Sequence, residues 1–163
     1  MRGSLSKLLR ATFEMSLMQR LKSVARVPLQ PATPGSMAWL IGDNEDTRAY
    51  IILVVHKRQD RFTVEVAYSR KKRIPQRNDL MPATEGGPDE SRFRLSRLWK
   101  PSGFEVWYDL EHDEDYPDVK EMDPFPADEE LCLRRIPVKV GRALDAFVAH
   151  GIPYLKKTLR LTA

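Results

Sequence analysis

Cysteine is almost absent from this chain of 163 residues, in which Cys132 is the only example. An intramolecular disulfide is therefore excluded, and a lone thiol between two leucines is typical of a small buried hydrophobe. Long apolar runs are absent too. None approaches the roughly 18 residues of a membrane span, and charged residues interrupt the first 25 positions, which argues against a signal peptide. We expect a cytoplasmic protein without a membrane partner.

Catalytic and ligand-binding motifs are also missing. The sequence has no Gly-rich phosphate loop and no Gly-x-Ser-x-Gly elbow. Its histidines, His56, His112 and His150, lie far apart without metal-ligand spacing, and we interpret them as structural residues. The sequence therefore predicts no catalytic residue, no metal site and no cofactor, and it favours a protein that is not an enzyme.

Acidic and basic residues are concentrated in different segments of the chain. Residues 105–130 contain twelve acids and one base, a net charge of −11, although the whole chain carries +4. Basic residues dominate elsewhere: residues 1–26 sum to +5, residues 56–77 to +6 and residues 131–163 to +6. Summed charge influences association rather than fold, so this segregation points to binding behaviour.

The N-terminal segment has the apolar spacing of an amphipathic helix. Its apolar residues recur every three or four positions. They are Leu5, Leu9, Phe13, Leu17, Leu21 and Val24. Ser4 is the candidate N-cap, and Pro28 disfavours helical backbone at the residue before it. This pattern predicts a helix over residues 5–25.

Strand patterns follow the first helix. Residues 39–41 are a short candidate, and residues 50–55 are apolar on both faces, as in a central strand. Residues 62–69 alternate apolar and polar, which predicts a half-buried strand paired with 50–55 in an antiparallel hairpin. Residues 104–110 alternate in the same way and predict a fourth strand, whereas residues 91–99 fit neither period.

The C-terminal region is predicted to be helical. Its apolar stripe consists of Val140, Leu144, Phe147 and Val148. Gly151 occupies the position of a C-cap glycine, and Pro153 can open a last short helix. Strands grouped between helices indicate an α+β fold: a long N-terminal helix, a meandering antiparallel sheet of about four strands, and C-terminal helices. We expect one domain, 1–163, with residues 1–4 as a candidate disordered end and irregular loops at 70–91 and 111–130.

The acidic region supplies the favoured binding site. Like charges at this density repel one another and require solvent or a cationic partner. The candidate partner-binding residues are Trp107, Asp109, Glu111, Asp113, Glu114, Asp115 and Asp118. The alternative interpretation is a solvated loop that binds no partner, with Trp107 packed in or near the core. The carboxylates lack the spacing and the glycine of an EF-hand loop.

A basic region supports an alternative, nucleic-acid-associated function. Arg70, Lys71, Lys72 and Arg73 follow a predicted strand, and Arg92, Arg94 and Arg97 come later. Clustered cations near aromatic residues can hold a phosphate backbone and stack bases. A solvated basic turn explains the same residues. A third hypothesis, a metal-dependent hydrolase or nuclease, requires acids such as Glu65 and Asp118 to converge on one ion with Lys120 nearby.

The order of elements resembles several uncharacterised bacterial α+β families. The resemblance is carried by the helix 5–25, the strands 39–41, 50–55 and 62–68, and the segment 152–155 after a terminal helix. Some members of such families are immunity proteins that neutralise a cognate toxin. The resemblance implies a non-enzymatic protein-binding module, an immunity or accessory protein that docks a basic protein through its acidic loop. It contains no diagnostic motif, so it transfers no site residue.

Overall fold

The computed structural model describes residues 1–29, 32–76, 89–99, 106–115, 128–158 and 160. It confirms an α+β fold, with more strands than the sequence predicts. The helices are α1 (Gly3–Arg20), α2 (Glu129–Ala146) and α3 (Ile152–Thr158). The strands are β1 (Ala25–Val27), β2 (Met37–Asp43), β3 (Arg48–Val55), β4 (Arg61–Ser69), β5 (Glu90–Arg94) and β6 (Tyr108–Asp109). Among the described residues, no helix combines the length and the hydropathy needed to span a membrane.

The strands form one antiparallel sheet. Its order is β1-β2-β3-β4-β5, and β6 also pairs with β4. The predicted hairpin is confirmed, because Val55 lies opposite Phe62 and the pairing continues to Arg48 and Ser69. The prediction of a half-buried β4 is wrong, since all nine of its residues are buried. Strand β4 has three neighbouring strands, and both of its faces are covered.

The first helix is shorter than predicted and starts earlier. It begins at Gly3 with Arg2 as the N-cap residue, so Ser4 lies inside it and is not the cap. It ends at Arg20, and β1 pairs with β2 at the sheet edge. Glu14 of α1 helps to hold β1 and β2 against the helix, because it accepts hydrogen bonds from Arg26 and from the Trp39 indole. The Arg26 hydrogen bond lowers the pKa of Glu14.

The main core lies between the sheet and the helices. Leu5, Leu9, Phe13 and Leu17 of α1 are completely buried there, as the periodicity predicts. Helix α2 packs beside α1 and contributes Cys132, Ile136, Val140 and Leu144 to the same core. A smaller apolar cluster occupies the other face of the sheet. It contains Ala38, Tyr50, Ile52 and Ala67.

Gly151 does not end a helix. Helix α2 continues through a π-helical turn, Phe147–Gly151, directly into α3, and Gly151 does not have a positive φ angle. The C-cap prediction is therefore wrong, and packing explains the glycine instead. A Cβ atom at this position would lie 2.5 Å from Cδ2 of Phe147. Val148, assigned by its spacing to the apolar stripe, is 41% exposed.

Replacing Gly151 with alanine is expected to lower the free energy of unfolding by about 1–3 kcal/mol, the usual cost of overpacking a core. The buried Phe147 ring must move to admit the new methyl group. Gly141→Ala is the matched control. Apart from the backbone of its own helix and its chain neighbours, nothing lies within 4 Å of a Cβ at that position, so alanine should stabilise α2 by about 0.5–1 kcal/mol. Urea denaturation followed by circular dichroism measures both, and equal stability of the two variants would contradict the packing argument.

Candidate functional site

Strand β6 is held in place by β4. Arg61 lies opposite Asp109 and Phe62 lies opposite Tyr108 in the antiparallel register. The Tyr108 ring stacks on Phe62 with 5.2 Å between ring centroids. Burial raises the pKa of Tyr108 to about 12. Because side chains alternate along a strand, Trp107 lies on the opposite face of the sheet from Tyr108.

Asp109 is a completely buried carboxylate with three partners. Its Oδ2 atom lies 3.4 Å from Nη2 of Arg61 and 2.8 Å from Nδ1 of His112. Its Oδ1 atom accepts the backbone N–H of Glu111 at 2.8 Å. The Arg61 side chain is itself only 4% exposed. This geometry compensates the charge of Asp109 internally, which a buried carboxylate requires.

The rest of the acidic loop folds back onto one face of α2. Arg135 lies 3.1 Å from Asp113, while Lys139 and Arg142 both contact Asp115. The same cations bind the loop backbone. Lys139 donates to the carbonyl oxygen of Asp113 at 2.8 Å, and Arg135 donates to that of Leu110 at 3.1 Å. The backbone of residues 110–115 is therefore tied to the helix.

The acidic residues thus divide into two groups. Asp109, Asp113 and Asp115 are paired with cations of the same chain. Glu111 and Glu114 have no ionic partner in the part of the chain that the structure describes. The side chain of Asp113 remains 90% exposed despite its ion pair, and Glu114 is also exposed. Asp118 lies outside the described residues.

Trp107 is half-buried and held by two neighbours. Its ring meets the ring of His56 edge-to-face, with 5.2 Å between centroids and an interplanar angle of 81°. The guanidinium carbon of Arg94 lies over the Trp107 ring, 4.9 Å from its centroid. Arg94 is fixed in turn by Glu65 at 3.3 Å. The Trp107 side chain is therefore packed against this face of the sheet and does not project freely toward a partner.

The structure separates the basic residues that the sequence grouped together. Arg92 and Arg94 point to Glu65 at 2.7 Å and 3.3 Å, with side chains only 12% and 4% exposed. Such burial removes them from a phosphate-binding surface. Arg97 is half-buried beyond the other end of β5 from residues 70–73.

Residues 70–73 are mostly engaged in ion pairs within the chain. Arg70 lies 3.4 Å from Asp89, while Lys71 and Arg73 lie 3.7 Å and 3.0 Å from Glu90. The hydrogen bond from Arg73 lowers the pKa of Glu90. The basic side chains of these ion pairs are exposed, so solvent screens their attraction to the carboxylates. Lys72 is exposed, with a φ angle of 55° in the turn after β4.

A candidate cation site is formed by Asp109, Glu111 and His112, whose ligand atoms lie within 4.8 Å of one another. Arg61 already supplies the positive charge at the Asp109 carboxylate and would repel a metal ion there. Glu65 is four residues from Arg61 along β4, a separation of roughly 13 Å at 3.3 Å per residue. Glu65 and Asp109 therefore cannot share an ion. Asp118 and Lys120 lie outside the described residues.

Sequence reasoning missed the polar surroundings of His56. The run His56-Lys57-Arg58-Gln59 predicts only a hairpin connection, yet all four residues line a cavity together with Trp107. His56 and Lys57 also line a second cavity. Cys132 is buried, and burial raises the pKa of its thiol, which suits a core residue.

Comparison with known proteins supplies no relative: no family model, no curated protein and no solved structure matches this chain.

Proposed function

We propose that this chain is a non-enzymatic, cytoplasmic binding protein that presents its acidic loop, residues 109–115, to a protein with a basic surface. The observation that carries the proposal is a combination of fixed backbone and outward carboxylates. Lys139 and Arg135 hold the loop backbone against α2. Asp113 and Glu114 nevertheless extend into solvent.

A fixed loop of this kind loses little conformational freedom when a partner binds, which favours affinity. Carboxylates exposed on it attract a basic surface, accelerate encounter and disfavour acidic competitors. The contact rests on Glu111, Asp113 and Glu114, because Trp107 is already held between Arg94 and His56. An immunity or accessory role in a bacterial toxin system is the specific form of the proposal. It requires that the partner be a toxin with a basic surface.

Neutralising two exposed acids should weaken this association about tenfold while leaving the fold unchanged. The test variant is Asp113→Asn with Glu114→Gln. The matched control is Asp46→Asn with Glu45→Gln, since both acids are exposed in the β2–β3 turn. The measurement is affinity capture from a lysate of the native host. Each variant is immobilised, the salt concentration is increased stepwise, and the bound proteins are quantified by mass spectrometry. A basic protein should be retained by the wild type and the control, and lost from the test variant.

Two results would count against the acidic loop as the binding site. One is equal retention of the same proteins by the test variant and the control. The other is retention that nuclease treatment abolishes and that Arg70→Ala with Lys71→Ala removes. The second result would favour the nucleic-acid alternative, because phosphate contacts would then carry the affinity.

A further inference from the structure

Two cavities adjoin the turn that connects β3 to β4. The first, here called the Trp107 cavity, has a volume of about 480 Å³. Its walls include Val54, His56, Lys57, Arg58, Gln59 and Trp107. The second has about 520 Å³ and shares Val55, His56 and Lys57 with the first. Sites for small organic ligands usually occupy roughly 300–1,000 Å³, so the Trp107 cavity is large enough for one.

His56 gives the Trp107 cavity a hydrogen-bond donor, the Nε2–H group of its ring. Its Nδ1 atom accepts the backbone N–H groups of Arg58 at 3.1 Å and Gln59 at 3.0 Å, so the ring proton must reside on Nε2. Burial, with a contribution from Arg61, lowers the pKa of His56, which keeps the ring neutral at neutral pH. Nε2–H has no hydrogen-bond partner among the described residues and remains able to donate to a ligand.

Gln59 also lines the cavity, but its unpaired amide oxygen does not face it. The residue is only 4% exposed, and its Oε1 atom, which has no hydrogen-bond partner within the described chain, is buried. The ligand contacts are therefore assigned to the other residues of the cavity.

The charge of the cavity is positive. Lys57 and Arg58 are exposed at its rim, and neither side chain has a carboxylate partner among the described residues. The two nearby acids are already engaged, since Asp60 pairs with Arg2 at 2.8 Å and Asp109 pairs with Arg61 at 3.4 Å. An anionic ligand would meet two available cations here and no free carboxylate in the described surroundings.

Trp107 provides a rigid aromatic wall. Arg94 and His56 fix its ring from two directions, at 4.9 Å and 5.2 Å from its centroid. Val54 adds apolar surface beside it. Aromatic walls of this kind favour planar apolar groups, which stack or contact the ring edge. A side chain that is already immobilised loses little entropy on binding.

We propose that the Trp107 cavity binds a small aromatic carboxylate. The aromatic body lies against Trp107 and Val54, and the carboxylate lies at Lys57 and Arg58. The Nε2–H group of His56 is available to donate to a carboxylate oxygen. This binding activity is independent of the acidic loop and requires no protein partner.

The first experiment uses 2-naphthoate as the probe, titrated into the full chain by isothermal titration calorimetry. Lys57→Ala with Arg58→Ala should weaken binding about ten- to thirtyfold, since two charge-assisted contacts are lost. Lys156→Ala with Lys157→Ala is the matched control, because it removes two neighbouring exposed lysines from α3. The control should bind like the wild type. Absence of binding at millimolar probe, or equal losses in both variants, would overturn the proposal.

The second experiment tests the charge of the ligand. 2-Naphthol has the aromatic body of 2-naphthoate but lacks the carboxylate, and we expect it to bind the wild type about tenfold more weakly. Lys57→Ala with Arg58→Ala should abolish this preference for the carboxylate, whereas Lys156→Ala with Lys157→Ala should preserve it. If 2-naphthol binds the wild type as tightly as 2-naphthoate, the anionic ligand class is wrong.

Discussion

Replacing Glu65 with alanine is expected to lower the free energy of unfolding by about 3–5 kcal/mol, the usual cost of removing one partner from a buried ion pair. The carboxylate lies 2.7 Å from Arg92 and 3.3 Å from Arg94. Its side chain is 1% exposed, and the two arginine side chains are 12% and 4% exposed. The alanine variant would leave two guanidinium groups buried without their shared anion. Urea denaturation followed by circular dichroism measures the loss.

Two further variants identify the cause of that loss. Glu45→Ala removes an exposed glutamate from a turn and should change stability by no more than about 0.5 kcal/mol. The triple variant Glu65→Leu, Arg92→Met, Arg94→Met removes the anion and both cations together. It should recover most of the stability, because apolar groups of similar volume replace buried charges at little net cost. A Glu65→Ala protein within about 1 kcal/mol of the wild type would show that solvent already compensates these arginines.

The parts of the fold that sequence patterns predicted are those in which the core repeats regularly. Buried residues recur every three or four positions along α1, and β3 is apolar on both faces. Both patterns depend only on local spacing. Strand β1 could not be found in this way. Its residues Ala25–Val27 are mostly exposed, so they have no apolar pattern of their own, and their conformation is set by pairing with β2 at the edge of the sheet.

The charged sites were only partly predictable for the same reason. Glu65 appears in the sequence as one polar position of an alternating strand, and its partners become visible only when the register places Arg94 opposite it. The acidic loop was evident from composition. Its neutralisation also had a signal: Arg135, Lys139 and Arg142 are spaced to lie on one face of α2, as a docking surface for an acidic segment would be.

The prediction for Asp109 compares two aspartates of the same loop. Asp109→Asn should lower the free energy of unfolding by about 3–5 kcal/mol, because it leaves the Arg61 guanidinium buried opposite a neutral amide. Asp109 is completely buried and Arg61 is 4% exposed, at a separation of 3.4 Å. The amide oxygen can still accept the backbone N–H of Glu111, so the variant tests charge more than shape. Urea denaturation gives the stability.

Asp113→Asn is the matched control, since it makes the same chemical change in the same loop. Asp113 is also paired with an arginine, at 3.1 Å from Arg135, but its side chain is 90% exposed. Solvent screening limits such a pair to about 0–1 kcal/mol. Stability losses of similar size in the two variants would contradict the burial argument. A large loss confined to Asp109→Asn would establish that its pair with Arg61 anchors β6, while Asp113 stays available to a partner because the fold does not depend on its charge.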